Sequence, residues 1–352
     1  MAKCSNVTQI VFNRAEGSTP MTKIQSDNSP ANKKAQSDPQ QSLRVRAAWL
    51  YYVEGMTQSD VAQTLNVSRI MVTRLLSEAR TRGEVTIKVN SRIAPQVKLQ
   101  RDLEIVFGLK QAIVCNLSDK SIDPTRAIAA AAGQYVSGLM INNMTVGVGW
   151  GRTLQTMLPF IEGQILKGVR VISLLGGIAQ ARRFNPAEFA WQFAEIFKAE
   201  GYLIPAPAIV DSSQTRHALL EHCGLDHIFQ MAEDCNLALL SCGGIDTLTT
   251  SYRVGYVSEA ERQSMIKAGV VGDILYNFVD RNGNIVDHPV NKRSISMPLD
   301  RLSRVQNRVL MSGGREKIDI IRAAMTSLKP HTLITDEATA ASLLALQNKT
   351  DS

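Results

Sequence analysis

Beyond residue 110 the chain alternates short apolar runs with helix-period stretches, and this alternation restricts the fold more than any other feature. The runs are Ala112 to Cys115, Thr145 to Val148, Val169 to Leu174, Leu237 to Ser241, Arg308 to Met311 and Thr332 to Ile334. Between them, residues 124–140, 153–161, 186–200, 258–268, 315–328 and 337–346 read as helices. The pattern predicts a Rossmann-like α/β domain around a mainly parallel sheet. In such sheets ligands sit outside the C-terminal strand ends, where loops meet helix N-termini.

Four of those junctions are marked by glycine. They are Val146 to Thr153, Leu175 to Ile178 (followed by Arg182, Arg183 and Asn185), Cys242 to Asp246, and Ser312 to Lys317. Small residues allow close backbone approach, and amides at a helix start suit an anion. A glycine pair alone is more often a tight turn, but four at one sheet edge point to a ligand site. None has Walker or dinucleotide-fingerprint spacing. Arg152 and Lys317 beside two of the loops suit an anionic small molecule. Asp273 lies among apolar residues, where an unpaired carboxylate is costly, so it needs a partner: a ligand hydroxyl or a backbone amide. Residues 276 to 285 read as a hairpin turning at Arg281 to Asn284. Asp336 follows the last strand and can equally cap a helix.

Residues 57 to 82 read as two short helices joined by a tight turn. Thr57 caps the first, and Val61, Ala62 and Leu65 form its apolar face. Asn66, Val67 and Ser68 make the turn and cap the second helix. Met71, Val72, Leu75, Leu76 and Ala79 form its buried side. Its other face carries Ser68, Arg69, Thr73, Arg74 and Arg80, residue types that reach phosphates and base edges in a major groove. That is a helix-turn-helix with a recognition helix. The bland alternative is a helical hairpin with solvated arginines. Leu43, Ala47, Leu50 and Tyr51 place a further helix across the pair, and Glu84 to Val89 alternates like a strand, the wing of a winged variant.

Charge favours the DNA reading. Residues 41–95 hold eight Lys and Arg (Arg44, Arg46, Arg69, Arg74, Arg80, Arg82, Lys88, Arg92) against four acids, and residues 1–40 hold five against three. The whole chain is +7, so only +1 remains for residues 96–352. A concentrated basic patch attracts the phosphate backbone. At 352 residues the chain is long enough for a small domain and a larger one. The segment organisation follows: a flexible polar tail over 1–40, a helix-turn-helix domain over 41–92, a connecting and dimerising helix over 93–109, and an α/β domain over 110–348. With 44% hydrophobic and 20% charged residues and no run of about eighteen apolar residues, nothing spans a membrane. The polar N-terminus and five scattered cysteines point to a reducing cytoplasm. No metal-ligand spacing or cofactor motif is present, and the five histidines form no metal-binding pair.

Taken in order, NVSRIMVTRLLSEARTRGEV, VGVGWGRTL, VVGDILYNFVDRNGNIV, SGGREKIDIIRAA and LITDEATAASLL resemble the SorC family of sugar-binding transcriptional regulators, over roughly residues 43–346. The resemblance implies an effector domain of the sugar-phosphate isomerase type without its catalysis. It also implies operator DNA as partner, a sugar, polyol or sugar phosphate as effector, and a homo-oligomer (dimer or tetramer). It places Gly149, Arg152 and Thr153 in an effector-phosphate loop and Lys317 on the phosphate. Asp273 becomes a sugar-hydroxyl contact or a support for the pocket, and Arg69 and Arg74 face DNA. Gly244, Asp246 and Gly314 fall in the remaining ligand loops. Trp150 is bulky for a phosphate loop, and Asp246 puts an acid beside the ligand, which keeps an unphosphorylated sugar or polyol open. The enzymatic alternative, a sugar-phosphate isomerase or deaminase with a DNA-binding accessory, needs a general base and acid. Asp246, Asp273 and Asp336 are its candidates, with no histidine in the four loops.

Overall fold

A computed structural model describes residues 8–12, 39–89, 94–117, 122–178, 185–245 and 257–348. Asp246, Arg182 and Arg183, and most of the 1–40 tail, lie outside the described residues. The chain divides into two units, Met1–Ala94 and Pro95–Ser352.

In the first unit, helix α1 (Pro39–Tyr52) packs on α2 (Gln58–Leu65) and α3 (Arg69–Thr81). Thr57 and Asp60 form a reciprocal capping box at the start of α2, which satisfies amide donors that a helix N-terminus leaves free. Asn66 ends α2 in the left-handed conformation (φ 54°), and Ser68 caps α3 by accepting the Met71 N–H at 3.1 Å. Ala47, Ala48, Val61, Val72, Leu75, Leu76 and Ala79 close a small core, with Val67 packed against it from the turn. The strand expected after α3 is present as β2 (Val85–Val89), but its partner is unexpected. Thr8–Phe12 forms a strand, β1, antiparallel to β2 with Ile10 opposite Ile87. The tail reading therefore fails at these five residues. Its average polarity concealed the run Ile10-Val11-Phe12, whose β-branched and aromatic groups suit a strand.

Arg44 corrects the charge reading. It is buried at 2% exposure and donates twice to the Glu84 carboxylate, Nε to Oε2 at 3.0 Å and Nη2 to Oε1 at 2.8 Å. It holds α1 against the start of β2 and adds nothing to a basic surface.

The second unit is built on one parallel sheet in the order β3-β12-β11-β7-β4-β5-β6, from Gln111–Cys115 (β3), Thr145–Val148 (β4), Arg170–Ser173 (β5), Glu200–Tyr202 (β6), Leu237–Leu240 (β7), Arg308–Met311 (β11) and Thr332–Asp336 (β12). Successive strand residues enter opposite cores. Leu237 and Leu239 face one, and Ala238 and Leu240 the other, as the period of two requires. Helices α5 (Thr125–Leu139), α6 (Arg152–Met157) and α7 (Pro186–Phe197) cover the first face through Ile128, Ala132, Leu154, Met157, Phe189 and Phe193. Helix α4 (Ala94–Phe107) helps cover the other face. It buries Leu103 in that core and leaves Val97, Ile105 and Val106 exposed.

From β4 the chain winds outward through β5 to β6, then returns to β7 and proceeds the other way through β11 to β12. The winding direction changes between β4 and β7, which opens a crevice at their C-terminal ends. Beside it sits a small antiparallel sheet, β10-β9-β8, of Gly243–Gly244 (β8), Gly272–Ile274 (β9) and Asn277–Val279 (β10).

Candidate functional site

The first site is the outer face of α3. Ser68, Arg69, Thr73, Arg74 and Arg80 are all exposed, while Val72, Leu75, Leu76 and Ala79 are buried behind them. Arg74 pairs with Glu78 one turn on at 2.8 Å, and that hydrogen bond holds the Glu78 carboxyl below its usual range. The pair is solvent-exposed and worth little, so a phosphate can replace Glu78. The Thr73 hydroxyl contacts Gln58 Oε1 at 3.2 Å, which joins the start of α2 to this face. Sequence reasoning passed over Ile70, which is 83% exposed among these polar groups. An apolar side chain so placed has no packing role and suits a thymine methyl. Its signal was the one apolar position of α3 off the buried stripe.

The second site is the C-terminal edge of the sheet. The four glycine-marked loops follow β4, β5, β7 and β11, which are neighbours in the order β11-β7-β4-β5. Folding therefore assembles on one edge what the sequence scatters from residue 147 to residue 317.

Not every predicted residue offers a group to a ligand there. The Gly149 N–H donates to the Leu239 carbonyl at 2.9 Å, extending the β4–β7 ladder. A Cβ on Gly149 would stand 2.9 Å from Leu275 Cδ2, so glycine lets the loop pass close to the small sheet. The Gly314 N–H (φ 107°) donates to Thr339 Oγ1 at 2.9 Å and Asp336 Oδ2 at 3.2 Å. Both glycines serve packing, and their amides are engaged. Gly244 lies in β8 opposite Gly272. Thr153 is buried in the first turn of α6.

Trp150 departs from the expectation that it would crowd a phosphate. It turns inward, 6% exposed, and stacks on Tyr276 with ring centroids 4.8 Å apart. The loop is thereby left to its small residues and Arg152.

Asp273 finds the backbone partner that its surroundings demand. Its Oδ2 accepts the Tyr276 N–H at 3.0 Å, bracing a turn in which Leu275 and Tyr276 both have positive φ (55° and 59°). The later hairpin also forms, with Asp280 N–H donating to the Asn284 carbonyl. Asp336 caps the last helix, α8 (Glu337–Asn348), by accepting from Thr339 N–H at 3.0 Å and its hydroxyl at 2.6 Å. Two of the three candidate acids of the enzymatic reading thus accept backbone N–H groups.

Two cations stand on this edge. Arg152 opens α6, with its Nη1 2.9 Å from the Asp123 carboxylate, and Lys317 precedes the helix Ile318–Leu328. Burial opposes ionisation of Asp123. Hydrogen bonds from Thr125, with the positive fields of Arg152 and Lys317, outweigh it and hold the carboxyl below the usual aspartate range. Lys317 also acts on Cys242, so its charge reaches the end of β7. Burial pushes the Cys242 thiol up to about 11, which leaves it a neutral, unreactive group packed 3.3 Å from Ser312 Oγ. Asp123 was missed in the sequence because its signal, an Asp-Pro pair before α5, reads only as a helix start.

A groove of about 560 Å³ lies at the opposite, N-terminal edge, lined by residues that include Lys110, Tyr135, Asn236 and His331. Its polar groups are largely paired internally: Asn236 Oδ1 accepts the Thr145 N–H, His331 Nδ1 accepts the Arg308 N–H, and Tyr135 shares a hydrogen bond with Thr332. Among the described residues, no group of His, Cys, Asp and Glu is placed to hold a metal, and no helix is long and apolar enough to cross a membrane.

Comparison with known proteins identifies the family. Residues 91–345 match the Sugar-bind family model, a sugar-binding domain. The chain is 31% identical to the deoxyribonucleoside regulator of Bacillus subtilis, over 86% of this chain and 97% of that protein. It is 28% identical to the erythritol catabolism regulatory protein EryD of Brucella abortus, over 89% and 99%. Full-length SorC, the sorbitol operon regulator of Klebsiella pneumoniae, superimposes with a TM-score of 0.66 at 26% identity, covering 86% of this chain and 98% of that structure. With capped helices ahead of a parallel α/β unit, and a sugar-binding match over most of its length, the chain belongs to the SorC family of sugar-binding transcriptional regulators.

Proposed function

We propose that this protein regulates a carbohydrate or polyol catabolic operon, with the outer face of α3 reading the operator and the C-terminal sheet edge sensing a sugar, polyol or sugar phosphate. The relatives that regulate deoxyribonucleoside, erythritol and sorbitol genes support the substrate class. The sensing half is carried by one observation: Arg152 and Lys317 each follow a glycine-marked loop on the C-terminal edge of the sheet, and the Arg152 guanidinium there already holds an anion, the Asp123 carboxylate at 2.9 Å. In this reading the cations hold the anionic end of the effector, and the small-residue loops admit its body. Asp246, which follows β8 in the sequence, is assigned to a hydroxyl, and Gly149, Gly244, Thr153, Asp273 and Gly314 shape the cavity. The protein is a sensor without turnover.

Ser68, Arg69, Thr73, Arg74 and Arg80 contact operator phosphates and bases, with Ile70 among them, and the β1–β2 ribbon is the wing. The exposed face of α4 pairs with a second copy, since paired half-sites need paired readers. Effector binding to one quaternary arrangement over another, by about 1–3 kcal/mol, changes operator affinity roughly 5- to 150-fold.

The test is operator binding on the native promoter with a panel of sugars, polyols and their phosphates. Arg74→Ala is expected to weaken operator binding and keep the effector response. Lys317→Ala is expected to keep operator binding and lose the response. An unaltered response in Lys317→Ala sinks the effector assignment, and a panel without effect on DNA affinity or thermal stability sinks the sensing claim.

A further inference from the structure

Asp123 stands where a ligand anion is expected. Its two carboxylate oxygens have different tasks: Oδ1 accepts the Thr125 N–H at 2.9 Å at the start of α5, and Oδ2 faces Arg152 at 2.9 Å. The helix start orients the carboxylate, and the guanidinium receives it. Asp123 lies just before α5 and Arg152 opens α6, two helices that pack against each other on one face of the sheet. This is no neighbouring-turn pair like Arg74 with Glu78. Both side chains are about half exposed, 42% for Arg152 and 53% for Asp123, so a solute reaches the guanidinium from solvent.

Resting on the effector assignment above, we infer that Asp123 is a specificity-determining residue. Its carboxylate competes with an anionic effector for Arg152, so that charge alone does not fill the site and a ligand must add hydroxyl contacts. The physical requirement is plain. An unneutralised arginine on an edge that also carries Lys317 would bind inorganic phosphate, whose charge matches that of a sugar phosphate. A carboxylate already on the arginine subtracts the same free energy from every anion, and only a ligand with hydroxyls to offer recovers it. Such a half-exposed pair is weak, so displacement remains within reach of the proper effector. A carboxylate that stays nearby after displacement still repels the anion.

The experiment is calorimetric titration of the full chain with inorganic phosphate at fixed ionic strength. Asp123→Asn keeps an oxygen for the Thr125 N–H and removes the charge. It is expected to bind phosphate about 5- to 30-fold more tightly than the unaltered chain, and the gain should vanish in Asp123→Asn combined with Arg152→Gln. Glu316→Gln is the control, since the Glu316 carboxylate folds back to within 2.7 Å of where a Gly314 Cβ would stand. Its expected gain is smaller than that of Asp123→Asn, and an equal gain shows general electrostatics and overturns the competition. Binding no tighter in Asp123→Asn than in the unaltered chain, undetectable binding in both included, also overturns it. The effector assignment falls with it only if Lys317→Ala keeps its sugar response.

Discussion

Between Thr57 and Thr81 the structural signals are close neighbours in sequence: Thr57 with Asp60, Asn66 with Ala62 and Gln63, Ser68 with Met71. At the C-terminal sheet edge the partners are far apart: Gly149 with Leu239, Arg152 with Asp123, Gly314 with Asp336 and Thr339. The functional side chains follow suit. On α3 they project from a helix whose other face is fixed by packing, so amphipathic spacing alone nominates them. At the sheet edge a residue's identity says little, because whether its polar groups face a ligand or a neighbour depends on segments about twenty to ninety residues away. Gly149 and Gly314 look like anion cradles in the sequence, and in the fold their amides are occupied.

Three substitutions probe that contrast, beginning with the largest expected effect. Arg44→Ala breaks the one long-range ion pair among the described residues of the locally built unit and leaves Glu84 almost buried without its partner. A loss of about 3–5 kcal/mol is expected in chemical denaturation of the first unit. A loss under about 1 kcal/mol would mean that local signals hold the unit unaided. Next, Gly313→Ala places a methyl 2.4 Å from Asp336 Oδ2 and 2.5 Å from Ile128 Cδ1. We expect about 1–3 kcal/mol of destabilisation from overpacking, together with an altered effector response, while the first unit melts as before. An unchanged response would separate the β11 loop from the ligand edge. The smallest effect is that of Ser68→Ala, which removes the cap on Met71 N–H and should cost about 1 kcal/mol in a thermal melt. A cost far above that would show Ser68 doing more than capping.

Strand and helix positions of the second unit were legible because burial on both faces of a parallel sheet imposes continuous apolar runs, as at Leu237–Leu240. The helix-turn-helix was legible because its caps and turn lie within a few residues of one another. Other features were hidden. Thr8–Phe12 is a strand only because β2 offers it an edge. Arg44 counted as surface charge until α1 packed against Glu84, and Trp150 counted as an obstruction until Tyr276 gave it a stacking partner. Asp123 gave no sign of any role beyond a helix start.

By itself, then, the sequence determined the class of the fold, the face of α3 that meets solvent and the four loops that share one edge. Each follows from periodicity and turn chemistry, which act over a few residues. Only the tertiary structure decided which charges are free, which amides are engaged and which carboxylate sits on Arg152. Those outcomes depend on pairings between distant segments, and a buried polar group takes whichever partner the fold brings within reach.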